Sequence, residues 1–173
     1  MRRLLVLLAF VPVAAGCGHS APRVPPSAIA LVGDRAVSRA EFNAELGRAR
    51  RAYAARGQRF PKRGTEAYQE LKDSVVRLLV DRAQLEIEAK RSRIVIGPAE
   101  IEARLRRFKQ SAFGGDEARY RDQLRATGMT DADVRAAIRA ELLAAALRKT
   151  GSGGHPQLAK VVYAPGFAPR DQG

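Results

Sequence analysis

The longest uninterrupted helical pattern in this chain runs from Glu66 to Lys90 and contains neither Gly nor Pro. Apolar residues recur within it at spacings of three, four or seven, which places them on one side of an α-helix. They form two adjacent stripes: Leu71, Val75, Leu78, Leu85 and Ala89 in the first, and Val76, Val80, Ala83 and Ile87 in the second. Two stripes make a wide apolar face, so the pattern predicts a central core helix that neighbours contact on more than one side.

The net charge of the chain indicates three possible classes of partner and does not distinguish between them. The chain has 31 Lys and Arg residues against 18 Asp and Glu residues, a formal net charge of +13. Such a balance suits nucleic acid, an anionic membrane surface or an acidic polypeptide. Because many Arg residues alternate with Glu and Asp, most of them are also explained as solvated helix faces. A hydrophobic content of 46% supports one modest domain with a real core.

The chain has a single Cys and two His residues, too few to indicate redox chemistry or a metal site. One Cys excludes an intramolecular disulfide and a Cys-based metal cluster. His19 and His155 lie in Gly/Pro-rich stretches, and neither has a companion ligand at helical spacing. The sequence has no phosphate-binding Gly loop, no HExxH motif and no CxxC motif. We therefore expect no metal, no cofactor and no catalytic residues, and a protein that is not an enzyme.

Residues 1–17, MRRLLVLLAFVPVAAGC, have the pattern of an export signal. Two Arg residues precede an apolar run from Leu4 to Val13 that is too short to span a bilayer comfortably. The small residues before Cys17 resemble a bacterial lipobox, where the signal is removed and the Cys sulfur carries a diacylglycerol. This resemblance implies lipidation at Cys17 and a lipid-anchored protein on the periplasmic or extracellular side of a cell membrane. An ordinary secretory signal cut near Ala15 and an uncleaved membrane anchor are the alternatives.

The rest of the chain divides into a tether, a helical domain and a tail. Residues 18–27 contain the Pro and small residues of a tether, and residues 28–150 carry the helical patterns. Residues 151–173 begin with a Gly-rich linker and contain a possible strand at 160–163. The tail otherwise reads as unstructured, with Phe167 as a candidate for docking onto the domain.

Local capping signals predict where the helices begin and end. Ser38 followed by Glu41 is a capping box for the first helix, which should run to about Ala55. The remaining signals are Pro98 at the start of the third helix, Asp116 and Thr130 as caps of the fourth and fifth, and Gly128 at the end of the fourth. The sequence therefore predicts a mainly α fold of about five helices around the long central helix. A small two-stranded β element should form from residues 28–32 and 160–163.

The order of these elements resembles the N-terminal domain of SurA-type periplasmic chaperones, which extracellular foldases such as PrsA share. The matching segments are LVGDRAV, DSVVRLLVDRAQLEIEAKRS, IVIGPAEIEARL, FGGDEARYRDQL and GMTDADVRAAIRAELL, and the likeness spans about Ile29 to Lys149. Enzymes of this family carry a parvulin prolyl isomerase domain after these helices, and residues 150–173 are too few to form one. The resemblance therefore implies a chaperone-like module that binds unfolded or nascent secreted polypeptides without isomerase activity.

A chaperone that holds unfolded chains needs exposed apolar side chains bordered by charge. Large apolar residues at loops and helix ends are the candidates for contacting clients: Phe60, Phe108, Phe113, Tyr120 and Met129. Aromatic and Met side chains tolerate partners of many shapes. For each of these residues, the alternative is an ordinary role in the core or as a loop anchor.

Two other functions fit parts of the sequence. Residues 120–142 contain a helix, a Gly-Met-Thr turn and a second helix, a spacing similar to a helix-turn-helix in which Arg135 and Arg139 would contact phosphates or bases. The export signal argues against nucleic acid, because the protein would leave the cytoplasm. The second alternative is a structural lipoprotein that docks one specific partner.

Overall fold

The computed structural model describes residues 23–150 and 158–170. In chain order its elements are β1 (Ala28–Val32), β2 (Arg35–Ser38), α1 (Arg39–Ala55), α2 (Glu66–Arg91), α3 (Pro98–Phe113), α4 (Glu117–Thr127), α5 (Asp131–Lys149) and β3 (Val161–Tyr163). The prediction of a mainly α fold with five helices is confirmed. The predicted signal, Cys17, both His residues, the linker 151–157 and part of the tether lie outside the described residues.

The β element has three strands, so the prediction of two strands is wrong by one. The strand order is β2-β1-β3, and both pairings are antiparallel. Gly33, at φ +58°, and Asp34 form a two-residue turn that pairs Val32 with Arg35. The turn is evident in the sequence, but the four residues RAVS that follow it are too short and polar to indicate a strand. The predicted pairing of the N-terminal strand with the C-terminal one is confirmed.

The helix boundaries follow the predicted capping signals. The Ser38 hydroxyl accepts a hydrogen bond from the Glu41 N–H at 3.1 Å, and the Glu41 carboxylate accepts one from the Ser38 N–H at 2.7 Å. Thr130 and Asp133 form a second capping box at α5, and the Asp116 carboxylate accepts hydrogen bonds from the Ala118 and Arg119 N–H groups at the start of α4. Gly128 ends α4 in the left-handed conformation. These boundaries are therefore set by contacts within a few residues of each helix end.

Helix α2 contributes to one large apolar core and to a small cluster beside a second core. Its 26 residues correspond to a length of about 39 Å. The first core lies between the sheet, α1 and α2, and its most buried members include Ile29, Val32, Val37, Phe42, Val76, Leu79 and Ala83. The second lies between α3, α4 and α5 and centres on Leu105, Tyr120, Val134 and Ile138. A smaller cluster joins α2 to α5 through Ala89, Ile96 and Leu143.

One residue of the predicted apolar face of α2 is exposed. Leu78 is 45% exposed, whereas Leu79, which belongs to neither predicted stripe, is 3% exposed. The buried face is centred on Val76, Leu79 and Ala83, and Leu78 lies five residues, or about 140°, from Ala83 around the helix. The width of the apolar face was predicted correctly, but the sequence pattern placed one edge of it on the wrong residue.

The C-terminal segment covers the first core. The Gln84 side chain donates to the Ala159 carbonyl at 2.8 Å and accepts from the Ala159 N–H at 2.8 Å. The ring of Phe167 packs edge-on against Phe42, with 5.2 Å between the ring centroids. The predicted docking of Phe167 is thus confirmed.

Two buried carboxylates connect α1 and α2 to α5. Glu45 on α1 is 6% exposed and Asp133 on α5 is 9% exposed. Arg48 bridges them, with Nη1 2.7 Å from Glu45 Oε2 and Nε 2.8 Å from Asp133 Oδ1. Arg82 lies 3.1 Å from Glu45 Oε1, and Arg51 lies 3.0 Å from Asp133 Oδ2. We call these five side chains the junction network, because they join the helices of the first core to those of the second.

The Asp133 carboxyl is the most heavily engaged group of the junction network. Burial by itself raises its pKa, but hydrogen bonds from Thr130 and the positive charge of Arg48 outweigh burial, so the pKa lies below its usual value. The Thr130 N–H donates to Asp133 Oδ2 at 2.8 Å. Asp133 therefore caps α5 and pairs with α1 as a charged carboxylate.

We predict that Asp133→Ala lowers the free energy of unfolding by about 2–3 kcal/mol, since a helix cap and a buried ion pair are lost together. Urea denaturation followed by circular dichroism measures this loss. Asp122→Ala is the matched control, because the Asp122 side chain is 65% exposed and pairs with Arg125 within the same helix. Its expected effect is below about 0.5 kcal/mol. Equal losses in the two variants would contradict a structural role for the junction network.

The contribution of Asp133 also has a defined pH dependence. Because its pKa is lower in the folded than in the unfolded chain, the stabilisation is complete above about pH 4, the unfolded-state pKa. It is lost as the pH falls through the folded-state pKa. The difference in unfolding free energy between the native chain and Asp133→Ala should narrow as the pH falls below about 4. A constant difference over that range would argue against a charged Asp133.

Gly128 and Gly114 provide a matched test of how closely α1 approaches the α4–α5 turn. They end α4 and α3 with φ +68° and +64°, so Ala at either position should cost about 1 kcal/mol of backbone strain. A Cβ on Gly128 would lie 2.5 Å from the Arg51 carbonyl carbon, whereas nothing lies within 4 Å of one on Gly114. We therefore predict a loss of at least about 3 kcal/mol for Gly128→Ala. Equal losses in urea denaturation would refute the close approach.

Candidate functional site

Helices α3, α4 and α5 enclose an apolar pocket of about 360 Å³. The apolar side chains that line it are Phe108, Phe113, Leu124, Met129, Val134, Ala137 and Ile138. Arg104 and Glu141 also line it, and Arg104 Nη2 lies 3.0 Å from Glu141 Oε1. This half-exposed ion pair connects α3 to α5 beside the apolar surface. We call the cavity the α3–α5 pocket.

The α3–α5 pocket follows from the lengths of the three helices and from the turns between them. Helix α4 has 11 residues, whereas α3 has 16 and α5 has 19. Gly114 and Gly128 adopt the left-handed conformation at the two turns, so the chain reverses direction within a few residues. Because α4 is the shortest of the three, it cannot cover the full length of the groove between α3 and α5.

Three aromatic rings make one wall of the α3–α5 pocket. Phe113 packs edge-on against both Phe108 and Tyr120, with centroid separations of 5.7 and 5.6 Å. Tyr120 is 2% exposed, and its hydroxyl donates to Asp131 Oδ1 at 2.7 Å. Burial raises the pKa of the Tyr120 hydroxyl, so the residue stays neutral. Tyr120 is therefore a buried part of the pocket wall, whereas Phe108 and Phe113 are only partly buried.

Four of the five residues predicted to contact clients line the α3–α5 pocket: Phe108, Phe113, Tyr120 and Met129. Client binding by these residues stays a prediction, and the structure adds that they share one cavity. Leu124 also lines the pocket and was not among the predicted client contacts, although it follows Tyr120 by four residues and therefore lies on the same face of α4. That spacing is the signal that could have identified it.

Phe60 lies apart from the α3–α5 pocket, in the loop between α1 and α2. Its ring centroid is 5.7 Å from that of Tyr53 and 6.4 Å from that of Tyr68, and both contacts are edge-on. The guanidinium carbon of Arg50 lies 4.9 Å from the Phe60 centroid. Phe60 thus anchors its loop, and it lines a second cavity of about 460 Å³ together with Arg50 and Tyr68.

The residues predicted to face DNA in a helix-turn-helix have other partners in the structure. Arg135 Nε lies 2.7 Å from Glu102 Oε1, and the same guanidinium pairs with Asp131. Arg139 donates to the Ile96 carbonyl at 3.5 Å. The Arg135 side chain is therefore occupied by two carboxylates.

The described part of the chain offers no arrangement for metal binding or for crossing a bilayer. Within residues 23–150 and 158–170, no three His, Cys, Asp or Glu side chains lie close enough together to hold a metal ion. No helix in the same ranges combines the length and the apolar character that a membrane span requires. The expectation that the protein is not an enzyme stays a prediction.

The family of the chain follows from a match over most of its length. The model of the family described as the SurA-like N-terminal domain matches residues 2–148. No curated protein matches the chain, and no solved structure matches it. The predicted resemblance, from about Ile29 to Lys149, falls almost entirely within the matched range. Five helices, of which the long α2 is central, and a family match from residue 2 to residue 148 lead to one conclusion: the chain belongs to the SurA-like N-terminal domain family.

Proposed function

We propose that this protein is an extracytoplasmic chaperone-like module that binds apolar side chains of non-native polypeptides in the α3–α5 pocket and performs no bond chemistry. Membership of the SurA-like family supports a chaperone-like periplasmic module that binds polypeptides. The observation that carries the proposal is the pocket itself, in which Phe108, Phe113 and Met129 are partly buried around about 360 Å³ of space. Apolar side chains left around an open cavity are available to a partner.

The size of the α3–α5 pocket fits one or two client side chains rather than a long segment. Its volume lies near the lower end of the range for binding pockets, roughly 300–1,000 Å³. An aromatic side chain buries about 150–250 Å², which at about 25 cal/mol per Å² corresponds to roughly 4–6 kcal/mol. The loss of translational and rotational freedom offsets most of this gain. Binding at one pocket is therefore weak and reversible, as release of a client requires.

The residues around the pocket favour the binding of many different client side chains over the selection of one. Met129 has a flexible and polarisable side chain that adapts to partners of different shape. The aromatic rings of Phe108 and Phe113 present apolar edges and faces without a hydrogen-bonding group that would demand a specific partner. The Arg104–Glu141 ion pair keeps charge beside the apolar surface, which favours solubility.

The proposal is tested by filling the pocket without removing a core contact. Ala137 lines the pocket and is exposed on α5, and Ala132 is exposed on the same helix outside the pocket lining. We predict that Ala137→Phe raises the concentration needed to suppress aggregation of an unfolded client at least about fivefold, because the new ring occupies the client's position. Light scattering of a diluted, chemically unfolded client, without nucleotide, measures the suppression.

Ala132→Phe is the matched control for the pocket-filling variant, and it should suppress aggregation as the native chain does. Unchanged urea-denaturation midpoints would establish that both variants remain folded. If the native chain at an equimolar ratio does not slow aggregation, the chaperone-like proposal fails. If Ala137→Phe suppresses aggregation as well as Ala132→Phe, the pocket is not the binding site.

The proposal includes a lipid anchor at Cys17 with a short tether. The last tether residues are held by α1, because the Arg39 N–H donates to the Ser27 carbonyl at 2.8 Å and Arg39 Nε donates to the Pro26 carbonyl at 2.8 Å. About seven residues, 18–24, then separate the anchor from the domain and reach about 23 Å when extended. Such a tether holds the domain close to the membrane surface.

Intact mass spectrometry of the membrane-extracted protein tests the anchor. We expect a chain that begins at Cys17 and carries a diacylglyceryl group, with or without an additional acyl chain. Cys17→Ser should leave the protein in the soluble fraction or with its signal uncleaved. A native chain that begins near Gly16 with a free thiol would support the ordinary secretory signal instead.

A further inference from the structure

The loop between α1 and α2 carries a concentration of positive charge that is not balanced locally. Seven of the sixteen residues from Arg48 to Arg63 are Arg or Lys, and none is Asp or Glu. A shorter basic run, from Arg104 to Lys109, has two of its four cations paired, with Glu141 and Glu117. We define the basic loop surface as the cations of this stretch outside the junction network together with three aromatic rings: Arg50, Arg56, Arg59, Lys62 and Arg63, with Tyr53, Phe60 and Tyr68.

These cations have no carboxylate partner among the described residues. Arg48 and Arg51, in the same stretch, are neutralised by Glu45 and Asp133. The five cations of the basic loop surface form no ion pair with any residue in 23–150 or 158–170. Their mutual repulsion is uncompensated within that part of the chain, and a ligand of opposite charge would relieve it.

The surface is concave and has a rigid aromatic floor. Arg50, Lys62 and Arg63 line a cavity of about 460 Å³ together with Phe60 and Tyr68. The edge-on contacts of Phe60 with Tyr53 and Tyr68 pack the loop against α1 and α2. The cations are therefore partly pre-organised around an opening, which lowers the entropy that binding must overcome.

From this geometry we infer that the basic loop surface binds acidic segments of polypeptide through their Asp and Glu side chains. Guanidinium groups match carboxylates through paired N–H donors. The inference rests on the proposed function, because it takes the occupant to be a polypeptide client. It adds a second binding site and a preference for acidic sequence.

The same geometry disfavours a lipid bilayer as the occupant. Insertion into a bilayer needs exposed apolar side chains among the cations. The large apolar residues most exposed in the described part of the chain are Leu78, Val95 and Leu158, and none belongs to the basic loop surface. Phe60 is held between two Tyr rings, and a concave surface does not fit a flat membrane.

Nucleic acid is disfavoured because a guanidinium already covers one face of two of the three rings. Binding of single strands relies on bases that stack on aromatic faces. The Arg50 guanidinium lies 4.9 Å from the Phe60 centroid, and the Arg56 guanidinium lies 5.3 Å from the Tyr53 centroid. Carboxylates need the edges of these guanidinium groups rather than the rings, so they can bind without disturbing the stack.

Helix α1 connects the basic loop surface to the turn that precedes the α3–α5 pocket. Arg51 follows Arg50 directly, and its Nε donates to the Gly128 carbonyl at 3.2 Å. Met129, the next residue, lines the α3–α5 pocket. For a client long enough to span both sites, the second contact gains from the high effective concentration that the first creates.

The inference is tested with three fluorescently labelled peptides that share one apolar sequence and differ only in carrying Glu, Gln or Lys at the same positions. Binding to the native chain is measured by fluorescence anisotropy. At low ionic strength, the Glu peptide should bind about tenfold more tightly than the Gln peptide, and the Lys peptide more weakly still. The preference should disappear at about 1 M salt, where the Debye length is about 3 Å.

A charge-matched pair of variants assigns the preference to the loop. Arg50→Gln, Lys62→Gln and Arg63→Gln together should weaken binding of the Glu peptide about tenfold and leave the Gln peptide within about twofold. Arg106→Gln, Arg107→Gln and Arg121→Gln remove the same charge from exposed positions on α3 and α4. This control should change binding of the Glu peptide less than about twofold.

Equal losses in the two triple variants would assign the preference to net charge and overturn the inference. Tighter binding of anionic vesicles or of a single-stranded oligonucleotide than of the Glu peptide, lost in the loop variant, would also overturn it. These outcomes are separable from failure of the α3–α5 pocket. A loop variant that loses the Glu peptide supports the inference even if Ala137→Phe leaves aggregation suppression unchanged.

Discussion

The arrangement of this molecule depends on two carboxylates that are buried where its two halves meet. The first and second cores have no buried residue in common, and the small cluster of Ala89, Ile96 and Leu143 joins α2 to α5 between them. Glu45 and Asp133 add directional contacts to this packing, because each accepts guanidinium donors from more than one position. Burying a carboxylate is unfavourable unless it is paired, so the halves are most stable in the orientation that completes both pairs.

The binding surfaces follow from that orientation. The α4–α5 turn lies against the backbone of α1 at Arg51, a contact that only Gly128 permits. This contact positions the end of α4 against α1, and Met129, the residue after Gly128, lines the α3–α5 pocket. The same contact places Arg51 against the turn that precedes Met129. The junction network thus links stability to the geometry in which clients are proposed to bind.

The C-terminal segment is held mainly through its backbone. Gln84 contacts both the N–H and the carbonyl of Ala159, and Lys72 Nζ donates to the Gly166 carbonyl at 2.9 Å. Strand β3 adds a third strand to the sheet, and Phe167 covers Phe42. Side-chain identity therefore matters at Phe167, while most of the remaining contacts depend on an extended backbone.

Most residues of the candidate site could be predicted from the sequence. Their distribution between two cavities could not. Loop and helix-end positions identified Phe108, Phe113, Tyr120 and Met129, which share one cavity, and also Phe60, which lies in another. Nothing in local spacing separates the five, because the separation depends on which helices pack together. The burial of Glu45 and Asp133 could not be predicted from the sequence either, since an acidic residue on a helix is normally exposed unless a distant partner neutralises it.

The sequence by itself determined the elements that depend on short-range chemistry. Ser38, Asp116, Thr130 and Gly128 specify where helices begin and end, because each acts on backbone groups only a few residues away. Tertiary structure decided which face of α2 is most buried, at Leu79 rather than Leu78, and made a strand of Arg35–Ser38. It also decided that Glu45 and Asp133 meet through Arg48. These outcomes rest on contacts between residues far apart in the chain, whose partners no local pattern contains.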